Sequence, residues 1–266
     1  KTKGRFIFDM IFGILKSCDC KISNIGRALN EKKDLCHTIK RLYNNVNSYD
    51  YSSEIENALI SSYQEFSSST ILSLDFSDIT KPYAQSMENL STVRDGDKGT
   101  LGLGYNQVVV TATELGDENP SILANSLFSK KANPDVTSTD VAIDILNKIT
   151  EVYGNQGVRT QDRYFDNKHF YRYFIAHNQS FVTRAKVNRK LLRVNSSGKV
   201  LPGKVSILTL AKNCRTPHKF LTKIWENGKW QERKQVRIGS RKVFLPCINR
   251  IVTLVVIKGF GTKPMM

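Results

Sequence analysis

The chain has 266 residues, 40% of them hydrophobic, and 40 lysines and arginines against 24 acids, a formal net charge of +16. That is enough apolar material to bury a core in one large domain or a core with satellites. No apolar run reaches transmembrane length.

The charge is uneven. Residues 1–66 carry +2, residues 67–156 carry −6 and residues 157–266 carry +20. A cationic surface of that size attracts a polyanion, most often nucleic acid. The five cysteines are odd in number and irregular in spacing; Cys18 and Cys20 have no second pair at zinc spacing. Unpaired thiols in a reducing compartment fit this pattern best.

In chain order, Phe6, Ile7, Met10, Ile11, Ile14 and Leu15 recur at helical spacing. Asp9 inside that run, and the absence of a clear cleavage site, favour an amphipathic helix over a signal peptide. Ser23 is placed to cap a short helix carrying Ile25, Ala28 and Leu29, which Asn30 ends. A third helix over 32–44 puts Leu35, Ile39 and Leu42 on one face and Lys33, His37, Lys40 and Arg41 on another. This outline fits a helix-turn-helix unit, with Lys33, Lys40 and Arg41 as DNA contacts, and fits equally a small bundle with a solvated basic stripe. Residues 52–66 read as a further helix.

The middle of the chain reads as strands over 71–76, 106–115 and 122–129, a helix from Thr137 or Ser138 to Tyr153 ended by Gly154, and a strand over 157–162. An aromatic helix over 167–178 and a strand over 180–187 follow. The Gly- and Asp-rich stretch 78–104 reads as a long loop. Three strands, helix, strand, helix, strand is the order of a ribonuclease H-like mixed sheet. From 190 to 260 the pattern alternates as in an antiparallel sheet, with hairpin turns at Ser196-Ser197-Gly198 and Glu226-Asn227-Gly228-Lys229. The expected class is therefore α+β, divided as a helical region 1–66, a core 67–189 and a β-rich region 190–260.

Two acids stand at the ends of predicted strands: Asp75 in Ile71-Leu72-Ser73-Leu74-Asp75-Phe76, and Asp162 in Gly157-Val158-Arg159-Thr160-Gln161-Asp162-Arg163. An acid at the end of a buried strand is costly unless its charge is compensated, most simply by a cation. Each also has a plainer reading: Asp75 as a solvent-facing acid, and Asp162 as the ion-pair partner of Arg159 or Arg163. Arg184, Lys186, Arg189, Lys190 and Arg193 follow closely and are candidates for phosphate contacts. Asp78 reads as a cap for the following loop. Asp95 and Asp97 resemble a fragment of a calcium loop without its spacing or final glutamate. Gly102-x-Gly104 precedes a strand and is no dinucleotide loop. His169 and His177 read as packing or surface residues. Trp225 and Trp230 flank a hairpin, either as a cross-strand packing pair or as a platform for a displaced base.

The run Leu72-Ser73-Leu74-Asp75-Phe76-Ser77-Asp78-Ile79-Thr80-Lys81-Pro82-Tyr83-Ala84, with Val93-Arg94-Asp95-Gly96 and Gly102-Leu103-Gly104-Tyr105, resembles the first-aspartate signature of bacterial insertion-sequence DDE transposases. Asp162-Arg163-Tyr164-Phe165-Asp166 resembles their second-aspartate block, and Phe181-Val182-Thr183-Arg184 the strand after it. The resemblance extends over the whole chain. It implies a ribonuclease H-like core interrupted by a β-rich insertion domain, and cut-and-paste transposition. The chemistry would be hydrolysis of a phosphodiester at a transposon end, then strand transfer. Asp75 and Asp162 would be the catalytic metal ligands of two magnesium or manganese ions. The partners would be double-stranded DNA and a second copy of the chain on it, in a bacterial cytoplasm at the nucleoid. Two departures are visible. The family has Gly where this chain has Tyr164. Its third acid is a glutamate on a helix after the insertion domain, whereas the only glutamates beyond Asp162 are Glu226 and Glu232. The expectation is a chain truncated before that acid and inactive by itself. The competing expectations are a non-catalytic DNA-binding inhibitor derived from a transposase, and an unrelated ribonuclease H-like nuclease.

Overall fold

The computed structural model describes residues 2–96, 98–226 and 229–259, with the side chains of residue 2 and of residues 224–234 left aside. It is a mixed α/β structure that divides within a helix into two compact units, Lys1–Ala58 and Leu59–Met266.

The first unit is helical: α1 (Thr2–Ser17), α2 (Ile22–Leu29), α3 (Leu35–Ser48) and the start of α4 (Ser52–Ser62). Phe6, Ile25 and Leu42 form its core, with Met10, Ile22, Leu29 and Tyr51 packed on them. Gly13 lets α1 and α2 approach, because a Cβ there would lie 2.4 Å from Ile25 Cγ2. Ser23 is not the cap of α2. Lys21 holds that position without a side-chain bond, and Asn30 ends the helix in the left-handed region at φ 48°. The third helix starts later than the periodicity suggests because Asp34 caps it, accepting from the Cys36 N–H. Lys33 therefore lies in the preceding bend rather than on a helix face.

The second unit holds two sheets. The first contains β1 (Thr70–Thr80), β2 (Ser91–Arg94), β3 (Leu101–Glu114), β4 (Ser121–Phe128), β5 (Val158–Gln161) and β6 (Ser180–Thr183). Its order is β2-β3-β1-β5-β6, with β4 also on β3. β1 and β3 run antiparallel along the whole of β1, from Thr70 opposite Glu114 to Thr80 opposite Gly104. β5 is parallel to β1, and β6 parallel to β5. The helices α5 (Ser138–Tyr153) and α6 (Lys168–Ala176) lie in the connections that such parallel pairing demands. Thr137 and Asp140 close a capping box at the start of α5. Ala142, Ile145, Leu146 and Ile149 of α5, with Phe170 and Phe174 of α6, cover Leu72, Leu74, Val108 and Val110 of the sheet. Stretch 78–104 is not one loop. Thr92 and Val93 pair with Leu103 and Gly102, so β2 and the first residues of β3, 101–104, lie within it.

The second sheet contains β7 (Lys190–Val194), β8 (Val200–Ser206), β9 (His218–Glu226), β10 (Lys229–Leu245) and β11 (Arg250–Lys258), ordered β11-β10-β7-β8 with β9 on β10. The turn at Ser196-Ser197-Gly198 joins β7 to β8, with Gly198 at φ 81°. Of the second expected turn, Asn227 and Gly228 lie outside the described residues, while Glu226 and Lys229 face each other across the hairpin. A short helix, α7 (Ile207–Lys212), interrupts the strands and buries Ile207, Leu210 and Ala211. These join Leu191, Val243, Leu245, Leu254 and Val256 in a second core, which reaches Tyr171 on α6. Among the described residues no helix is long and apolar enough to cross a membrane.

Candidate metal and nucleic-acid site

Asp75 does not end its strand: β1 runs five residues further, to Thr80. What ends beside it is the parallel pairing. β1 and β5 are in register from Ile71/Val158 to Leu74/Gln161. Asp75 and Asp162 are the next residues on each chain, on strands about 4.8 Å apart. Their side chains share a face. The Ser73 and Thr160 hydroxyls, two residues earlier on the same two strands, are hydrogen-bonded at 2.9 Å. Residues two apart on a strand point the same way, and Asp162 keeps extended backbone (φ −77°, ψ −177°). The residues between them, Leu74 and Gln161, are buried while both acids are exposed.

Aromatic packing fixes the pair. Asp162 caps a 3₁₀ turn over Arg163–Phe165, accepting from the Tyr164 N–H at 2.7 Å. The rings of Tyr164 and Phe165 meet Phe76 with centroids 4.8 and 4.7 Å apart. Phe165 in turn packs on Phe170 of α6 at 4.9 Å. The residue after Asp75 is thus clasped by the turn that Asp162 begins. Tyr164, where the resembled family has Gly, supplies half of that clasp.

The two carboxylates are uncompensated. Burial pushes the Asp75 carboxyl up; an N–H bond from Phe76 opposes this, and the charge of Asp162 adds to it. The ion pairs among the described residues include neither acid. Arg159 is fully buried and donates to the carbonyls of Gly154, Asn155, Gln156 and Gly157, so it does not serve Asp162. Two hard oxygen donors on one face, one resisting ionisation beside the other, could hold a hard divalent cation. Among the described residues no group of three or more His, Cys, Asp or Glu is placed to hold a metal.

The basic candidates divide by what they already hold. The Arg184 N–H donates to the Gln161 carbonyl at 3.1 Å, so Arg184 follows β6 as Asp162 follows β5, and its side chain is exposed. Lys186, Arg189, Lys190 and Lys204 line an open cleft of about 470 Å³ with Asp166 and Cys247. Within it Arg189 is committed. Its guanidinium bonds the carboxylate and the carbonyl of Asp166, whose side chain is fully buried. Asp166 also accepts from the Tyr171 hydroxyl at 2.6 Å and the Lys186 N–H at 2.7 Å. Burial alone would lower the Arg189 pKa; the bond and charge of Asp166 more than offset it. The Tyr171 hydroxyl is pushed up by burial and then by Asp166. Asp166 is the residue that sequence reasoning passed over, although it stands only four positions after Asp162. Arg41 is similarly occupied, bonding Asp9 at 2.8 Å and Glu31 at 2.9 Å. Lys33, Lys40, Lys190 and Arg193 are exposed. Trp225 and Trp230 face each other in the β9–β10 register, with side chains outside the described residues.

The remaining motif residues have local roles. Asp78 accepts from the Gly96 N–H at 3.0 Å, tying β1 to the turn after β2. Asp95 folds onto its own turn, accepting from the Lys98 N–H, and Asp97 lies outside the described residues. Gly104 permits close approach, because a Cβ there would lie 2.2 Å from the Ile79 carbonyl oxygen. His177 bonds the Tyr173 carbonyl, and His169 is exposed.

No family model matches the sequence, and no curated protein does. Among solved structures, a cryo-EM structure of a piggyBac transposase synaptic complex with hairpin DNA aligns with 94% of this chain at a TM-score of 0.41 and 11% identity. The chain spans about half the length of that protein, 50% of it.

Proposed function

We propose that the chain is the core of a DNA transposase of the DDE type, in which Asp75 and Asp162 hold divalent metal beside a phosphodiester. The observation that carries this reading is the pair itself: two uncompensated carboxylates on one face, where the parallel pairing of β1 and β5 stops. The strand order, with a long antiparallel hairpin beside two parallel strands and helices in the crossovers, supports a ribonuclease H-like sheet. The +20 carried by residues 157–266 supports a nucleic-acid substrate. Bound magnesium or manganese would activate the attacking oxygen and stabilise the leaving one. The protein's part is to hold the two carboxylates in place through the Phe76 clasp and to keep cations near the strand end. Arg184 is the cation nearest in register to Asp162, and Lys186 and Lys190 extend the basic ground. The expected assembly is two copies on double-stranded DNA.

A second reading, a DNA-binding protein that occupies DNA without cutting it, is favoured by the absence of a third acidic or imidazole ligand near the pair among the described residues. Metal binding and nicking of supercoiled plasmid separate the readings. With no third ligand near the pair among the described residues, the first reading expects manganese held by the pair and lost in Asp75→Ala and Asp162→Ala while duplex binding persists, with no nicking by this chain alone. Duplex binding with no metal at the pair selects the second. Magnesium-dependent nicking that Asp75→Ala abolishes points instead to an unrelated ribonuclease H-like nuclease. A chain that binds neither duplex nor metal refutes both readings.

A further inference from the structure

The second sheet carries a basic cleft whose lining residues include neither Asp75 nor Asp162. This open cleft of about 490 Å³ is lined by Asn195, Ser196, Asn213, Arg215, Arg241 and Lys242, among others, and none of its lining residues is acidic. The strand positions explain how it forms. Along β10 the core-facing side runs Gly239, Arg241, Val243 and Leu245, and the last two are buried in the second core. Arg241 therefore occupies an inward position at the rim of that core. Its Nε is buried and has no hydrogen-bond partner. β7 pairs with β10 at Arg193/Val243, and continuing that register sets Asn195, at the hairpin turn, opposite Arg241. Gly239 admits a second chain segment, because a Cβ there would lie 1.9 Å from the Arg215 carbonyl oxygen. Lys258 pins the same segment, donating to the carbonyls of Lys212 at 3.0 Å and Cys214 at 2.9 Å. Arg215 is thereby brought to the mouth of the cleft that Arg241 floors.

An arginine nitrogen buried without a partner is costly, and a guanidinium is a donor only. The ion pairs among the described residues give Arg215, Arg241 and Lys242 no carboxylate. The Nε is closed to solvent, so what meets an anion is the open cleft itself, lined by Arg215, Arg241 and Lys242 with no acid among its lining residues. Such a place suits an oxyanion, and paired arginines match the tetrahedral oxygens of phosphate. We infer that this cleft holds a backbone phosphate of nucleic acid, with Arg215 and Arg241 as its donors and Lys242 beside them. This rests on the reading that the chain acts on nucleic acid and adds a contact remote in sequence from Asp75 and Asp162.

The test is binding of a fluorescently labelled 30-base-pair duplex by the full chain across a salt series. One lost phosphate contact lowers the slope of log K against log salt by about 0.9. Arg215→Gln and Arg241→Gln are each expected to lower the slope by up to that amount and to weaken binding roughly tenfold at low salt. Arg241→Lys keeps the charge and is expected to retain most of the slope. Lys98→Gln, at an exposed lysine already paired with Asp95, controls for a general loss of charge. Arg215 is exposed, so its variant reports even if Arg241→Gln unfolds. Intact duplex binding with an unchanged slope in the Arg215 variant overturns the inference and leaves the functional reading standing. So does calorimetric binding of inorganic phosphate that Arg215→Gln removes without touching duplex affinity, since the site would then serve free phosphate. Failure of the parent chain to bind any duplex overturns both.

Discussion

Removing the Asp166 carboxylate is expected to destabilise the second unit more than any surface change. In Asp166→Ala the Tyr171 hydroxyl and the Lys186 N–H lose their acceptor, and Arg189 keeps a half-buried charge with no anion. Each unsatisfied neutral donor costs about 1–3 kcal/mol, and breaking a buried ion pair by removing one partner about 3–5 kcal/mol. These overlap, because the same oxygens serve both, so about 3–5 kcal/mol is expected in total. For a unit of roughly 200 residues that corresponds to a fall in Tm of about 6–20 °C. Urea denaturation followed by tryptophan and tyrosine fluorescence measures it directly. Arg189→Met alone should also be costly, and Asp166→Leu with Arg189→Met should recover part of the loss, because no charge is then left buried alone. A change below about 1 kcal/mol in Asp166→Ala would refute the claim that this network ties the 3₁₀ turn, α6 and the chain after β6 together.

Two other outcomes follow from the same geometry. The Asp75 carboxyl is raised by burial and then by Asp162, so its contribution to stability is full below the unfolded pKa and is lost as pH rises through the folded one. In chelator, Asp75→Asn should therefore be more stable than the parent at pH 7–8, by less than about 1 kcal/mol at so exposed a site, with the gap closing below about pH 4; a variant less stable at pH 8 would contradict the repulsion. Gly104→Ala forces β1 and β3 apart at Ile79, where backbone meets the new methyl, and should cost about 1–3 kcal/mol in denaturant midpoint; a neutral result would mean that the strands have room there.

How far the sequence foretold this arrangement depends on the range of the interaction. Helical periodicity found α1 to α3 and α5, because the residues that pack lie three or four apart. β2 escaped because it is four residues long within a stretch dense in Gly and Asp, and it exists only through pairing with β3. The end of β1 escaped because Ser77, Asp78 and Thr80 look like a loop, yet β3 supplies a partner along its whole length. α7 is six residues inside an alternating block, too short for a helical period to show. The acids Asp75 and Asp162 were legible as strand-linked carboxylates, but their adjacency is a property of β1–β5 pairing between residues 87 apart. The partners of Arg41 lie 32 and 10 residues away and that of Arg189 lies 23 away, none at helical spacing, so both read as free cations in the sequence and are bound in the fold.

The central claim is that Asp75 and Asp162 together hold a divalent cation. A crystal soaked in manganese, with anomalous scattering collected near the metal edge, tests it most directly. The account expects an anomalous peak within about 2.0–2.3 Å of oxygens from both carboxylates, lost in Asp162→Asn. A saturated soak that puts manganese elsewhere, or the two carboxylates turned to separate faces, would contradict it.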